Sequence, residues 1–407
     1  MKLVVTVLEE SCDAAVRAIR AIALPHDMVE VRAERFATLD CDALQAATTR
    51  PMILTFRNAP RRNVPEWRGL IDVEWHDGVA IDEPARTVVS HHDYDGMTDV
   101  ETIMAKMRAM NCAYTKLAAT PRSFADNERL LKLLPGTVIG MGERGLYSRI
   151  LAPFRGSELT FVAASHIAAP GMLTHERALE IYGPGVIGNR VEKVFAIAGD
   201  PAGHSLSPVI HNRLFRQKNV PAAYTIASIE RFDEITGAFL RGEPCGLSVT
   251  TPFKEDAFRF APDPAPNARR ARAVNTLVNV NGKIIADNTD VDGFAALIAT
   301  PYIGAAVLGR GPTARSALVA LQDAGIPATV YHRDNMHTLR DFGGDLIVNT
   351  LPGDADVAIP ACRTYIEAAY TGTPREVDAE RRFGGLDLLH AQAVRQHELF
   401  MKVFDGP

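Results

Sequence analysis

The chain has 407 residues, a hydrophobic content of 47% and a formal net charge of −5 at pH 7. This length suits two or three domains, and the composition is that of a globular protein rather than a disordered one. The negative net charge excludes the basic field by which proteins bind nucleic acid or an anionic membrane surface, so we expect small-molecule partners.

The cysteines and the first residues indicate the compartment. The five cysteines are scattered without a C-x-x-C spacing, which argues against a disulfide framework and a zinc site, and no metal is expected. The opening stretch MKLVVTVLEESCD reaches acidic residues too soon for a signal peptide, and no apolar run approaches the roughly 20 residues of a membrane-spanning helix. We therefore expect a cytoplasmic protein with no membrane partner, and an oligomer is compatible with the sequence.

Residues 1–182 alternate between short apolar strands and helical patterns such as DAAVRAIRAIA and DVETIMAKMRAM, as in a parallel sheet. Eight strands predict a (β/α)8 barrel within an α/β fold. The connections NAPRRNVPEWRG and HDGVAIDEPART are too short and proline-rich for full helices, so the third and fourth barrel helices should be trimmed. The predicted strands are KLVVTV, MVEVRAE, PMILTFR, LIDVEW, TVVSHHD, CAYTKLAA, TVIGMG and LTFVAA.

Glycine and proline in YGPGVIGNRVEK predict a linker at residues 183–192. A second α/β unit follows, with one lobe over residues 193–300 and a Rossmann-type lobe over residues 301–407. In GAAVLGRGPTARSALVALQDAGIPATVYHRD, a strand, a glycine-rich turn, a helix and a second strand follow one another. A dinucleotide-binding fold requires this order, because the pyrophosphate lies at the helix N-terminus, and it accepts alanine at the last glycine of G-x-G-x-x-G. The residues expected to bind the cofactor are Gly309, Gly311, Thr313 and Ala314.

Arg333 and Asp334, at the end of the second strand of this stretch, concern the choice of dinucleotide. An arginine there binds the 2′-phosphate of NADP, whereas an acid binds the ribose hydroxyls of NAD and repels a phosphate. Arg333 could equally be a solvated loop charge. We expect NADP (NADPH), with NAD left open.

Four polar clusters in the second half lie at predicted strand ends or turns. Singly, their serines and asparagines could be helix caps or turn residues. Together they supply hydroxyls, amides, one lysine and one aspartate, which suit the binding of a polyhydroxylated acid and the donation of one proton. The clusters are GDPAGHSLSPVIHN (199–212), LSVTTPFKE (247–255), AVNTLV (273–278) and DNTDVDGF (287–294).

These motifs, in this order, resemble those of the shikimate dehydrogenase family over residues 194 to about 400. The resemblance implies a two-lobed unit whose C-terminal helices return to the substrate-binding lobe. It implies that Lys254 protonates the alkoxide formed by hydride transfer and that Asp290 orients this amine. It also implies substrate binding by Ser205, Ser207, Thr250, Asn275, Tyr370 and Gln392, and cofactor binding by Gly385.

Lys116 lies in CAYTKLAATP, which otherwise predicts a buried strand. Burying an unpaired ammonium is costly, so such a lysine either reaches the surface or takes part in chemistry. The stretches VEVRAE, ILTFR, VVSHHDY, YTKLAA, GMGERGLYSR and GSELTF with AAPG resemble the type I 3-dehydroquinate dehydratase family. The resemblance implies that Lys116 forms an imine with the substrate ketone and that His92 transfers the proton.

Other positions of the first half match the family's substrate-binding residues. Arginine is suited to clamp a carboxylate, although Glu30 and Arg32, two apart on one strand, could also form a purely structural ion pair. Strand alternation allows only one of His91 and His92 to face the barrel interior beside Lys116. The matching substrate-binding positions are Glu30, Arg32, Arg57 and Arg149.

Three positions depart from the dehydratase pattern. Arg61 replaces an acid that orients the catalytic histidine, and Ala168 and Met172 replace a serine and a glutamine of the lid over the substrate. The loss of one such supporting contact costs ~10²-fold in rate. We therefore expect weakened dehydration with the imine chemistry retained.

Three hypotheses follow. The first is a bifunctional enzyme of the shikimate pathway, which dehydrates 3-dehydroquinate and reduces the resulting 3-dehydroshikimate to shikimate with NADPH. The second is an active shikimate dehydrogenase with a degenerate dehydratase barrel. The third is a non-catalytic sensor of the quinate pathway, which is disfavoured because the lysine of each predicted site, Lys116 and Lys254, is present together with its partner.

Overall fold

The computed structural model describes residues 1–57, 63–183, 191–298, 301–372 and 375–405. The chain divides into two compact units: the first consists of Met1–Lys193, Pro201–Gly203 and Phe215–Ile229, and the second of Val194–Asp200, His204–Leu214 and Glu230–Pro407. The predicted linker lies mostly outside the described residues. The domain limits inferred from the sequence stay predictions.

The first unit begins with eight short strands: β1 (Lys2–Leu8), β2 (Met28–Arg32), β3 (Met52–Thr55), β4 (Leu70–Glu74), β5 (Thr87–Asp93), β6 (Tyr114–Ala119), β7 (Thr137–Gly140) and β8 (Leu159–Ala163). They form one sheet in the order β7-β6-β5-β4-β3-β2-β1-β8, and the pairs are parallel. A bridge between Gly136 and Ser157 joins its two edges. The predicted barrel is confirmed.

Helices follow most of the strands: α1 (Cys12–Arg20), α2 (Cys41–Gln45), α3 (Val100–Ala109), α4 (Phe124–Lys132), α5 (Leu146–Leu151) and α6 (His175–Tyr182). In the described residues between β3 and β4 there is no α-helix, and between β4 and β5 there is only a 3-10 turn at Pro84–Arg86. Trimming of the third and fourth helices is confirmed, and α2 is also short. A second 3-10 turn, Ala152–Arg155, follows α5.

Strand alternation gives the barrel interior two layers. Val4, Met28, Ile53 and Val88 belong to one buried apolar cluster. The next residue on the same face of each of these strands is polar, because same-face positions recur every two residues. These next residues are Thr6, Glu30, Thr55 and Ser90, all buried. The polar layer therefore lies nearer the C-terminal ends of the strands, where barrels of this type carry their chemistry.

Residues 193–298 contain the next elements: β9 (Lys193–Gly199), α7 (Ser207–Gln217), β10 (Ala222–Ser228), α8 (Asp233–Leu240), β11 (Gly246–Val249), α9 (Lys254–Phe260), α10 (Pro266–Ala271), β12 (Thr276–Val280), β13 (Lys283–Asp287) and α11 (Thr289–Leu297). In the second unit, β11 pairs with β9 in parallel and with β12 in antiparallel fashion, and β12 pairs with β13 in antiparallel fashion. The loops at the ends of β9 and β11 carry the polar motifs of the sequence.

The last elements form a parallel sheet with helices: β14 (Ala305–Leu308), α12 (Pro312–Asp323), β15 (Ala328–Tyr331), the 3-10 helix Met336–Asp341, β16 (Leu346–Asn349), β17 (Cys362–Glu367), β18 (Ala379–Phe383) and α13 (Gly385–Met401). The strand order is β15-β14-β16-β17-β18. Helix α13 packs closely on α11, because a Cβ added at Gly293 would lie 2.9 Å from the Cβ of Gln392. The predicted α/β class, with a Rossmann-type lobe at the C-terminus, is confirmed.

Among the described residues, no helix has both the length and the apolar character needed to cross a membrane.

Candidate active sites

Lys116 lies in the polar layer of the barrel and is only 4% exposed. Its Nζ is 3.5 Å from Glu30 Oε1 and 3.5 Å from Asp72 Oδ2. The same atom is 3.9 Å from the centroid of the Phe161 ring. The buried amine therefore has two anionic neighbours and one aromatic neighbour, an environment that stabilises a positive charge at this position.

The two carboxylates around Lys116 are held by hydroxyl groups. Glu30 accepts hydrogen bonds from Thr6 Oγ1 at 2.7 Å and Thr55 Oγ1 at 3.0 Å, and Asp72 accepts one from Ser90 Oγ at 2.7 Å. Each of these partners is on a neighbouring strand of the barrel. The anions are thus fixed by the wall of the barrel itself.

Both carboxylates are ionised at neutral pH. Burial raises the pKa of Glu30, but Lys116 and Arg32 outweigh this and lower it overall. Burial likewise raises the pKa of Asp72, but Arg57 and Lys116 hold it well below its usual range. They therefore act as permanent counter-charges to whatever cation Lys116 carries.

His92, near the end of β5, is held by Glu74, the last residue of β4. Its Nδ1 is 2.9 Å from Glu74 Oε2, and its backbone N–H donates to Glu74 Oε1 at 2.8 Å. Burial, together with the charges of Arg57 and Lys116, lowers the pKa of His92 to about 4, although Glu74 opposes the shift. The ring is therefore neutral at neutral pH and can act as a base.

One pocket contains both Lys116 and His92, with a polar and an apolar side. Its other polar and aromatic residues are Glu30, Arg32, Arg57, Tyr94 and Arg149. Its apolar side consists of Ala118, Ile139, Met141, Phe161, Ala168, Ala169 and Met172. The structure thus brings together all six residues predicted for this site.

Two arginines of the pocket have donor groups left for an anionic ligand. Arg149 donates to the carbonyl oxygens of Gly140 and Pro170 at 3.4 and 3.1 Å, and burial lowers its pKa to about 10. Arg32 forms an ion pair with Glu34 at 2.6 Å, while its buried Nε has no hydrogen-bond partner among the described residues. An unsatisfied buried donor indicates a place for a bound acceptor.

In the second unit, Lys254 and Asp290 form a buried pair, with Nζ 2.5 Å from Oδ2. Lys254 begins α9, and Asp290 lies in the first turn of α11, where a helix N-terminus favours an anion. Asp290 Oδ1 accepts from Asn275 Nδ2 at 2.8 Å, and Lys254 Nζ donates to Thr313 Oγ1 at 3.3 Å. The lysine is thus oriented by one carboxylate and one hydroxyl.

Further amides and hydroxyls extend this pair into a network. Asn275 Nδ2 donates to Thr289 Oγ1 at 3.0 Å, and Thr289 Oγ1 lies 2.9 Å from Gln392 Oε1. Ser205 and Ser207 are 2% and 3% exposed, and the Ser207 N–H donates to Ser205 Oγ at 3.2 Å. Asn275, Gln392 and the Lys254–Asp290 pair therefore form one connected group.

Two parts of the chain match models of known protein families. Residues 69–184 match the model of the type I 3-dehydroquinase family. Residues 197–277 match the model of the shikimate dehydrogenase substrate binding domain. Segments of this chain are thus similar to both families. The resemblances stated from the sequence are thus confirmed, and we label the two units by the family models that they match, as the dehydroquinase unit and the dehydrogenase unit.

Curated relatives include proteins that carry both activities in their names. A bifunctional 3-dehydroquinate dehydratase/shikimate dehydrogenase of Arabidopsis thaliana is 31% identical over 225 residues, covering 52% of this chain and 37% of the relative. A pentafunctional AROM polypeptide of Mycosarcoma maydis is 28% identical over 271 residues, covering 60% of this chain and 16% of the relative. The chain thus spans well under two thirds of the length of these relatives.

A similar solved structure is the shikimate 5-dehydrogenase of Thermus thermophilus in complex with NADP(H) and shikimate, with 24% identity and a TM-score of 0.45. The match covers 51% of this chain and 93% of that chain.

The glycine-rich turn of the dehydrogenase unit has one strained and one open position. Gly309 has a φ of 108°, and a Cβ there would lie 2.6 Å from Thr350 Oγ1. Gly311 has a φ of −72°, and nothing lies within 4 Å of an added Cβ. The first glycine is required by the backbone, whereas the second leaves space in front of α12, where no side chain caps the helix.

The other predicted cofactor residues have different surroundings. Ala314 packs in the buried core of this lobe, so its small side chain permits close packing of α12 on the sheet. Gly385 also serves close packing, because a Cβ there would lie 2.4 Å from the carbonyl carbon of Ala369. Arg333 is exposed at the end of β15, and Asp334 Oδ2 lies 3.3 Å from His332 Nδ1.

Thr250 and Tyr370 are half-buried in the dehydrogenase unit. Thr250 follows β11 directly, and its N–H donates to the carbonyl oxygen of Ala198 at 3.0 Å. The ring of Tyr370 is 6.1 Å from that of His204. Among the described residues, no group of three or more His, Cys, Asp or Glu side chains could hold a metal ion.

The structure changes the interpretation of two arginines in the dehydroquinase unit. Arg57 is not a free carboxylate clamp, because its guanidinium pairs with Asp72 at 2.9 Å and with Glu74, and also contacts Ser90. The pairing alternative for Glu30 and Arg32 is wrong, because Arg32 pairs with Glu34. Arg61 lies outside the described residues.

Sequence reasoning missed Asp72 and Glu74, which lie in the LIDVE strand. The sequence did contain a signal for them. Asp72 and Glu74 are two residues apart on a predicted barrel strand, so both side chains lie on the face that carries the polar layer. Ala168 and Met172, which depart from the dehydratase pattern at the two lid positions, both line the apolar side of this pocket.

Proposed function

We propose that the dehydroquinase unit dehydrates 3-dehydroquinate to 3-dehydroshikimate and that the dehydrogenase unit reduces 3-dehydroshikimate to shikimate with NADPH. One observation carries the first activity: a buried lysine amine lies between two fixed carboxylates, in one pocket with a neutral histidine. The buried Lys254–Asp290 pair, with its amide and hydroxyl network, supports the second activity.

The dehydration begins at the amine of Lys116. The Lys116 ammonium gives one proton to the neutral His92 ring, and the amine attacks the ketone carbon of 3-dehydroquinate. His92 returns that proton to the carbinolamine oxygen, which leaves as water and gives an iminium on Nζ. This cation occupies the position of the original ammonium, so Glu30 and Asp72 stabilise it without rearrangement. The iminium withdraws electrons from the adjacent carbon and makes its proton acidic.

His92 then transfers the proton. Its free ring nitrogen takes the proton from the carbon next to the iminium, and the resulting enamine expels the hydroxyl group one carbon further on. The protonated ring returns the proton to this departing oxygen, which leaves as water. Hydrolysis of the iminium releases the enone and restores Lys116. Arg149 and the free Nε of Arg32 are the donors best placed for the substrate carboxylate.

The reduction requires one hydride and one proton. NADPH, when bound, supplies the hydride to the ketone of 3-dehydroshikimate. Lys254, as ammonium, donates the proton to the developing alkoxide, and Asp290 directs that donor by its 2.5 Å contact. Asn275 and Gln392 supply amide groups for the ring hydroxyls, and Ser205 and Ser207 supply hydroxyls for the carboxylate.

NADP is the preferred dinucleotide in this proposal. Arg333 is exposed at the end of β15, the position where a 2′-phosphate is read. The open space at Gly311 and the uncapped N-terminus of α12 suit a pyrophosphate.

Incubating the purified protein with 3-dehydroquinate tests both activities in one experiment. Ultraviolet absorbance of the conjugated enone should rise without cofactor, and addition of NADPH should then give shikimate with loss of NADPH absorbance. If only added 3-dehydroshikimate is reduced, the barrel is not a dehydratase. If 3-dehydroquinate gives no enone and added 3-dehydroshikimate is not reduced either, both assignments are wrong.

A further inference from the structure

Glu74 is placed to control the orientation of His92. We propose that Glu74 is the positioning carboxylate of the dehydration, which holds the His92 ring with Nε2 free to take the substrate proton. This inference rests on the proposed function of the dehydroquinase unit. It assigns to a residue of β4 the role that the family resemblance assigns to the position of Arg61, where this chain has a base instead of an acid.

Both carboxylate oxygens of Glu74 contact His92. Oε1 accepts the backbone N–H of His92 at 2.8 Å, while Oε2 lies 2.9 Å from ring Nδ1. The Glu74 carboxylate thus holds the His92 ring in a fixed orientation relative to the backbone of β5. Rotation of the ring away from this position would break the hydrogen bond between Nδ1 and Glu74.

The contact also determines which nitrogen carries the proton. An ionised carboxylate can only accept hydrogen bonds, so Nδ1 of the neutral ring must carry the hydrogen. Nε2 is then the atom with the free lone pair, as a base requires. Burial raises the pKa of Glu74, but the hydrogen bond from His92 and the charge of Arg57 lower it overall, so the carboxylate is ionised.

Arg57 explains why Glu74 stays in place. Its guanidinium contacts Glu74 on one side and Asp72 on the other, and Asp72 in turn lies 3.5 Å from Lys116 Nζ. A continuous set of charged contacts therefore connects the base to the imine-forming amine. His91, the neighbouring histidine, packs its ring against that of Trp75 at 5.9 Å, and its Nδ1 lies 4.0 Å from Glu74 Oε1, beyond hydrogen-bond distance.

Kinetics of Glu74→Ala and Glu74→Gln give the first test. Loss of the orienting carboxylate should lower kcat for dehydration by ~10²-fold with a much smaller change in KM, because binding contacts are retained. The Gln variant keeps one acceptor oxygen and should lose about tenfold. Borohydride trapping on Lys116 should still succeed in both variants, which verifies that the barrel is folded.

The matched control is Glu83→Ala. Glu83 is an exposed glutamate that pairs with Arg86 by an i,i+3 contact in the connection between β4 and β5. Its removal should leave kcat and KM unchanged. Wild-type kcat in both Glu74 variants would overturn the inference, and a folding failure of Glu74→Ala leaves Glu74→Gln to decide.

The tautomer gives a readout that a merely structural role would not change. In protein labelled with 15N at the histidine rings, the His92 signals, identified by their absence in His92→Gln, should report Nδ1–H and an unprotonated Nε2 at pH 7. Glu74→Ala should populate the Nε2–H form. A wild-type ring protonated at Nε2 would refute the inference even in an active enzyme. If wild type neither dehydrates nor traps, the proposed function fails, and the tautomer still tests Glu74.

Discussion

At the scale of single residues, the proposed dehydration requires Lys116 to change its bonding while the acids around it keep their charge. Lys116 lies between Glu30 and Asp72, and nearby cations lower the pKa of both carboxylates although both are buried. A cation at Nζ is therefore balanced as an ammonium and as an iminium alike. Fixed carboxylates that already face the developing cation need no rearrangement during the reaction, which lowers the barrier.

The low pKa of His92 predicts the acid limb of the dehydration. Burial lowers this pKa to about 4, so the base form persists as the pH falls from 7 to 5. Activity should then decline by about tenfold per pH unit below the pKa, as the ring becomes protonated. The measurement is kcat/KM of dehydration against pH. A decline that starts near the ordinary histidine value of 6.5 would contradict the burial of this ring in the functional state.

At the scale of elements, strand alternation places the polar groups of the barrel site, and the first turns of α9 and α11 place Lys254 and Asp290. The apolar residues Val4, Met28, Ile53 and Val88 fill one barrel layer, and the next same-face residues form the polar layer. The glycine-rich turn similarly has its position because β14 leads into α12 through a residue with positive φ, Gly309. Functional side chains and backbone donors are thus placed by regular secondary structure rather than by long loops.

The two glycines of this turn predict opposite effects on replacement by alanine. Gly309→Ala should destabilise the unit by about 1–3 kcal/mol, because φ is positive and Cβ would meet Thr350. Gly311→Ala should leave stability unchanged, since the added methyl group meets nothing, while it obstructs the space for the pyrophosphate. Thermal unfolding of both variants measures their stability, and NADPH titration measures their affinity for the cofactor. Equal stability of the two variants, or unchanged NADPH affinity of Gly311→Ala, would contradict it.

The sequence predicted the elements better than the contacts between them. Eight apolar runs sufficed to predict the barrel. The family resemblances implied Lys116, His92, Lys254 and Asp290, and the structure brings the first two into one pocket and the last two into one ion pair. The role of Glu74 was not predictable, because a glutamate at a strand end usually faces solvent and its partner His92 is 18 residues away. The pairing of Arg57 with Asp72 and Glu74 was likewise not predictable, because it depends on which acids the fold places beside the guanidinium.

At the scale of the whole molecule, each unit contains a complete set of candidate catalytic groups. The imine lysine, its counter-ions and the histidine all belong to the dehydroquinase unit, and the Lys254–Asp290 pair with its network belongs to the dehydrogenase unit. Neither set uses a residue of the other. The two activities should therefore be separable by substitution.

Single lysine substitutions test this separation. Lys116→Met should abolish dehydration of 3-dehydroquinate and leave the reduction of added 3-dehydroshikimate at the wild-type rate. Lys254→Met should lower kcat of the reduction by ~10²–10⁴-fold and leave dehydration intact. The exposed Lys283→Met is the matched control for the second variant. Loss of both activities from one substitution in a folded protein would show that the sites depend on each other.

Borohydride trapping with 3-dehydroquinate, followed by intact mass and peptide mapping, tests the central claim most directly. The account predicts one reduced adduct, on Lys116, in the wild-type chain and none in Lys116→Met. Consumption of 3-dehydroquinate without an adduct, or an adduct on another lysine, would contradict it.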